Sequence, residues 1–217
     1  PSAVRTLLPP ALVALARDHP ALELRVTELD PVAVAAALRD RRLDVALRHD
    51  YDIVPAEPDP ALEEVPLLDE TVFLAVPAGA GEGPGPGAAG PAPRDPVAAA
   101  RHADWIVASP GTLCHEVAWR TCQAAGFAPR VRHQADDFTA VLALVAAGQG
   151  VSLVPELGAA VAPPGVALLP LPARRRTAVA WRRGAGRHPA VAACIAALRV
   201  SARAYPGGLS VSPPAGP

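Results

Sequence analysis

The sequence predicts an α/β fold in two lobes, and three observations carry that prediction. From Ser2 to Arg48 the chain reads helix, strand, helix, strand, the order of an α/β layer. Leu62 to Pro77 is one long extended run, suited to crossing from one lobe to another. From Asp95 to Tyr205 a second series of amphipathic helices and short apolar strands follows, enough for a lobe of its own.

Ser2 to Asp18 reads as the first helix, with Val4, Leu8, Leu12 and Leu15 on one face. Pro9 and Pro10 remove two backbone donors and should bend or restart it. Leu22, Leu24 and Val26 alternate with Glu23, Arg25 and Thr27, which predicts a half-buried strand. Asp30 followed by Pro31 is an N-cap and a first-turn proline, opening a helix that buries Val34 and Leu38. Asp44 to Arg48 is a short buried strand running into His49, Asp50 and Tyr51. This order predicts a parallel sheet, with a further strand preceding Ser2. Val72, Leu74 and Val76 give the long run its alternation. Ala78 to Pro93, AGAGEGPGPGAAGPAP, is low in complexity and expected to stay unstructured.

In the second lobe, Asp95-Pro96 starts a helix reaching Arg101, and Trp105 to Ala108 is a buried strand. Ser109-Pro110-Gly111-Thr112 turns into a helix from Leu113 to Ala125, stopped by Gly126. Arg130 to Ala135 is a strand. Asp136 or Asp137 caps the next helix, whose Val141, Leu144 and Val145 share a face. Gly148 ends that helix at positive φ, and Val151, Leu153 and Val154 form a buried strand closed by Pro155. Glu156 to Val161 is a short helix. Val166 to Leu171 and Thr177 to Arg182 read as two strands, and Pro189 to Tyr205 as a last helix that faces Val191, Cys194, Ile195 and Leu198 inward. Pro206 to Pro217 is a loose tail.

With 217 residues the chain can bury a real core in one large or two small domains. A net charge of −1 gives no basic footprint for nucleic acid. Every basic side chain is Arg, and Met, Lys and Asn are absent, a bias typical of G+C-rich coding that strips single Arg residues of meaning. Three cysteines, Cys114, Cys122 and Cys194, are too few and too odd for a disulfide framework and suit a reducing, cytoplasmic setting. No secretory signal and no membrane-spanning apolar run is present, so no membrane partner is expected. The start at Pro1, without Met, reads as a fragment.

The chemical motifs exclude more than they offer. His115-Glu116 begins a zinc-protease pattern, but the second histidine position holds Trp119. Cys114 and His115 are helix neighbours and point about 100° apart, so they cannot form a nucleophile and base. The G-x-G spacings near Gly83 lack a strand-to-helix setting and a following Lys. No serine has a nucleophile-elbow context. No metal, no cofactor and no catalytic residue are expected, and an enzyme would need a titratable pair that the sequence does not pair. What remains is a crevice at helix N-termini: Ser2 and Thr6, Ser109 to Thr112, and Asp136 to Phe138. Arg48 and His49 could add positive charge there, Phe138 an apolar wall. Asp137 either meets a ligand or only caps its own helix.

In this order the segments SAVRTLLPPALVALARDHPALELRVTE, LRDRRLDVALRHDYD, PLLDETVFLAVP, DDFTAVLALVAAGQGVSLVP and LPARRRTAVAWRRG resemble the effector-binding domain of LysR-type transcriptional regulators over nearly the whole of Ser2 to Tyr205. The Gly/Pro insert departs from that pattern, and the family's N-terminal helix-turn-helix domain is not in this sequence. The resemblance implies two Rossmann-like lobes joined by two crossover strands, of periplasmic-binding-protein type II. Lobe I would be 1–78 plus 165–205, lobe II 79–164 with the 79–93 insert disordered, and 206–217 a disordered tail. It implies an effector site in the inter-lobe cleft lined by Ser2, Thr6, His49, Ser109, Thr112, Asp137, Phe138 and Pro155. The ligand would be a small polar or anionic metabolite. Self-association as a dimer or tetramer is implied, and DNA contact only through the N-terminal domain. A solute-binding protein for transport is the alternative on the same fold.

Overall fold

Pro9 and Pro10 do break the first helix. In the computed structural model, which describes residues 2–79 and 94–205, it becomes α1 (Ser2–Thr6) and α2 (Leu8–Asp18). The two prolines sit in the first turn of α2, where missing N–H groups cost least. Residues 80–93 and 206–217, expected to be unstructured, lie outside the described residues.

The described residues divide into two units, 2–70 with 175–205, and 71–174. The first contains α1, α2, α3 (Pro31–Arg39), β1 (Val45–Tyr51) and α8 (Pro189–Ala204). Asp30 caps α3 as expected, accepting from the Val32 amide at 3.0 Å. At the other end of α3, Arg182 donates to the carbonyls of Leu38 (3.1 Å) and Leu43 (2.6 Å), satisfying acceptors that a helix terminus leaves open. Helix α8 packs on α2, where the buried Ser201 hydroxyl donates to the Leu7 carbonyl at 2.6 Å, at the break between α1 and α2.

The second unit contains α4 (Pro96–Ala99), β3 (Asp104–Val107), α5 (Leu113–Ala124), β4 (Arg130–Gln134), α6 (Phe138–Ala146), β5 (Ser152–Pro155) and α7 (Glu156–Ala159). Its core joins Ile106, Phe138, Val141, Leu142, Val145 and Val154. Fully buried Trp105 lies beneath, its indole N–H given to the Ala100 carbonyl at 3.3 Å.

Two long strands belong to both units: β2 (Leu62–Pro77) and β6 (Val166–Arg182). The expected pair of strands at 166–171 and 177–182 is thus one strand. Pro170 and Pro172 do not interrupt it because residues two apart present their backbone to the same edge, so only one edge loses donors. The hydrogen-bonded order is β1-β6-β2-β5, with β3 and β4 in a separate pair.

Two expectations are corrected. The sheet is not simply parallel: β1 runs antiparallel to β6 and β5 antiparallel to β2, while β3 and β4 are parallel and Trp105 makes a parallel bridge to Val151. The cause is β6, which brings the chain back into the first unit and so runs against β1. Leu22 to Thr27 is extended but forms no strand, because no ladder partner for it lies among the described residues. Its alternation survives in part, with Leu22 and Leu24 half-buried and Val26 51% exposed.

The turn after α6 uses two glycines differently. Gly148 has φ 71 with open space where a Cβ would go. Gly150 has φ 148, and a Cβ there would lie 2.5 Å from the Asp104 carbonyl oxygen, which accepts the Val151 amide at 2.9 Å. Gly148→Ala is expected to cost about 1 kcal/mol and Gly150→Ala about 3 kcal/mol or more in urea unfolding. Equal costs would show that close approach of the Val151 segment to β3 does not depend on a bare Cα.

Candidate functional site

Strand alternation builds the first cluster. In the β1–β6 ladder His49 faces Thr177 and Tyr51 faces Arg175, all on one side. Tyr51, Arg175 and Thr177 are buried, and His49 is half-buried. The other side carries Arg48, Asp50 and Arg176, with Arg176 4.0 Å from Asp50 and Arg48 paired with Glu64. On the buried side His49 Nδ1 is 2.9 Å from Thr177 Oγ1. Arg175 Nε donates to Glu70 Oε1 at 2.5 Å, and a second guanidinium nitrogen donates to Ser2 Oγ at 3.2 Å. Glu70, Arg175 and Ser2 are 0%, 3% and 6% exposed, so this is a buried ion pair touching a buried hydroxyl. The Thr6 hydroxyl donates to the Ser2 carbonyl at 2.9 Å, one helical turn back. Burial, and next the charge of Arg175, hold the His49 pKa well below its ordinary value, so its imidazole is neutral near pH 7.

The second cluster is built from two turns. Ser109 gives both its amide (2.7 Å) and its hydroxyl (2.8 Å) to the carboxylate of Asp136. The Thr112 hydroxyl donates to the Ser109 carbonyl at 2.7 Å and accepts the His115 amide at 3.2 Å, capping α5. Asp137 caps α6, accepting the amides of Thr139 (2.8 Å) and Ala140 (3.2 Å). Phe138 is 9% exposed and its ring lies against Gly158, where an added Cβ would come within 2.9 Å. Phe138, Asp136, Ala108, Cys114 and Ser152 border a small cavity of about 20 Å³, room for roughly one water-sized group. Pro155 closes β5 opposite Val72 and precedes α7.

Of the residues singled out in the sequence, Ser2, Thr6 and His49 therefore share one cluster, and Ser109, Thr112, Asp137 and Phe138 another, with Pro155 at the end of β5. Arg175, Glu70 and Thr177 complete the first cluster and do not stand out as candidates in the sequence; Asp136, placed at the crevice by the sequence, completes the second. A signal for two of them existed: Glu70 stands in phase with the buried Leu68, Val72 and Leu74, and Arg175 with the buried Leu171, Thr177 and Val179.

The electrostatic expectation is corrected. Arg48 and His49 add no free positive charge, because one is paired with Glu64 and the other is neutral. Nor do open helix N-termini present themselves: α1 has only five residues, and the first amides of α5 and α6 are taken by Thr112 and Asp137. What both clusters offer is fixed hydroxyls and carboxylates. Among the described residues no three His, Cys, Asp or Glu side chains converge as a metal site. His115 stacks on Trp119 instead, with ring centroids 5.7 Å apart.

Against known proteins, residues 1–203 match the family model described as LysR substrate binding domain. The chain is 28% identical over 150 residues to the transcriptional dual regulator GltC of Bacillus subtilis (strain 168), covering 69% of this chain and 46% of that protein. It is 30% identical over 157 residues to a probable hydrogen peroxide-inducible genes activator of Mycobacterium avium, covering 72% and 47%. The chain thus spans about half the length of these curated relatives. The C-terminal domain of a probable LysR family transcriptional regulator from Rhodococcus sp. RHA1 superposes with a TM-score of 0.70 at 24% identity, covering 91% of this chain and 94% of that one. The fold is accordingly the α/β, periplasmic-binding-protein type II-like fold of LysR effector-binding domains.

Cys122 lies on the inward side of α5 with no exposure, and burial pushes its thiol up to about 12. The raised value is a property of the folded state, so its contribution to stability is complete below the thiol's usual pKa and is lost as pH rises toward the folded value. In the native protein at pH 8, alkylation of Cys122 should run at least about 100-fold slower than in the urea-unfolded chain. Peptide mass spectrometry reads this directly, and native labelling at the unfolded rate would contradict the burial of this face.

Proposed function

The chain belongs to the LysR substrate-binding-domain family, and from that premise we propose that it senses a small-molecule effector on behalf of a transcription regulator. The observation that carries the reading is the pair of hydroxyl-rich clusters: Ser2, Thr6 and His49 with Arg175 and Thr177, and Ser109 and Thr112 with Asp136. Hydrogen bonds hold the side chains of both in fixed geometry, which lowers the ordering cost of gripping a small ligand. Phe138 borders the small cavity that Asp136 of the second cluster also lines. Asp137 acts first as a helix cap.

In this reading the effector biases the regulator between states of different DNA affinity. A coupling of about 1–3 kcal/mol is sufficient. DNA contact belongs to a separate domain of the regulator, in keeping with the net charge of −1 on this chain. The domain works in the cytoplasm, as a dimer or tetramer, and without catalysis. No described helix is long and apolar enough to cross a membrane. Transport by a solute-binding protein is not favoured, since both curated relatives above are regulators by name.

The site is tested with substitutions that spare the fold. Thr112 and Phe138 are poor choices, because one caps α5 and the other is buried in the core. Thr6→Val exchanges a hydroxyl that only bonds back within its own turn, and Ser109→Ala removes one exposed hydrogen bond. In the full regulator each is expected to keep its melting temperature within a few degrees and to need at least about tenfold more effector for half-maximal reporter response. The effector itself comes from a thermal-shift screen of metabolites. A normal response from either variant would rule out its own cluster as an effector contact.

A further inference from the structure

The buried Glu70–Arg175 pair is more than a structural tie, because its guanidinium also touches the candidate residue Ser2. A lone buried guanidinium costs several kcal/mol, and Glu70 Oε1 at 2.5 Å offsets that cost. Thus anchored, Arg175 turns a second nitrogen to Ser2 Oγ at 3.2 Å. Arginine has donors only, so Ser2 must accept in this bond. A hydroxyl that accepts from arginine keeps its own proton to donate elsewhere. The Ser2 carbonyl is occupied by Thr6, which leaves the hydroxyl as the side of Ser2 that reads a ligand. His49 stands in the same face of the ladder, bound to Thr177.

We propose that Arg175, anchored by Glu70, is a positioning residue for effector recognition: it sets the Ser2 hydroxyl as a donor, so that this cluster takes an acceptor oxygen of the effector, a carboxylate or carbonyl, and rejects a cationic group. The proposal rests on the effector reading above and gives it a chemical sign. A cation at Ser2 would meet a hydroxyl proton and a guanidinium behind it. An acceptor oxygen meets a hydrogen bond already polarised by a charge, the stronger kind.

Two small ions of opposite character test it, acetate as acceptor and methylammonium as donor, followed by NMR on the amides of Ala3 to Thr6 and the His49 ring. In the wild-type protein acetate should shift these signals at a concentration at least about tenfold below methylammonium. Ser2→Ala should abolish that difference. The double variant Glu70→Gln, Arg175→Met removes both charges together, so neither is left buried alone, and the fold should persist. It should lose the acetate response at least about tenfold and let the His49 titration rise toward its usual range. Arg175→Lys, which keeps a cationic donor, should restore the preference for acetate. A purely structural pair predicts instead an unchanged acetate response and His49 titration in the folded double variant, and that result would overturn the proposal. So would a methylammonium response equal to that of acetate, or no response to either below about 100 mM, in the wild-type protein. If the double variant does not fold, the wild-type and Ser2→Ala comparison decides alone. The effector reading is judged separately, by the Thr6 and Ser109 variants.

Discussion

A buried ion pair has to be made where two long strands pass side by side, and much of this chain is arranged to allow it. Glu70 on β2 and Arg175 on β6 are almost free of solvent exposure, at 0% and 3%. Removing one of two such charges typically costs about 3–5 kcal/mol, because the survivor stays buried and unpaired. That penalty fixes the register in which β2 and β6 meet more firmly than apolar contacts, which tolerate sliding. Register then propagates. With Arg175 in place, Thr177 two residues on stands opposite His49, and the remaining donors of Arg175 reach Ser2. One charge pair thereby orients a helix start, a histidine and a strand edge.

Most charged side chains of these clusters are committed to partners within the fold. Arg48 is committed to Glu64, Arg182 to Asp44 and the end of α3, Arg175 to Glu70. Asp136 accepts twice from Ser109, and Asp137 twice from its own helix. Of these, Glu70 and Arg175 were desolvated on folding. A ligand that pairs with them must either share the bond or add to it. Hydroxyls keep spare capacity, because each can accept and donate at once.

The helices were legible because their ends are chemically marked. Asp30-Pro31, Asp95-Pro96, Thr112 and Asp137 all cap the helices that the sequence reading placed after them. The long strand from Leu62 to Pro77 has the bounds its alternation predicts. Strand partnership was not legible. Leu22 to Thr27 has the alternation of a strand and pairs with nothing described, since alternation reports a half-buried face and says nothing about a neighbour's backbone. Pro170 and Pro172 split β6 on paper, although both spare the same edge. Among the candidate residues, Ser2 and His49 are tied to one cluster by Arg175, which the sequence hides among Arg174, Arg176 and the wider arginine bias. Only its phase, shared with Leu171 and Val179, betrays it, as the phase of Leu68 and Val72 betrays Glu70.

That same period of two has a further consequence one residue along. Adjacent residues on a strand face opposite sides, so Glu70 and Thr71, and likewise Arg174 and Arg175, serve different networks. Glu70 accepts from Arg175, and Arg175 donates also to Ser2, within the first unit. Thr71 accepts from Arg174 at 2.9 Å and gives its amide to Glu156 at 3.2 Å, within the second. The units divide at these very positions, and the 70–71 and 174–175 peptide bonds are the covalent links that join them. Each link therefore has a satisfied polar anchor on either side. A strand end held by a buried charge or a shared carboxylate cannot drift to absorb a small displacement, as a loop would. The arginine run at 174–176 is thus not redundant: its alternation assigns one guanidinium to each network and the third to Asp50 on the outer face.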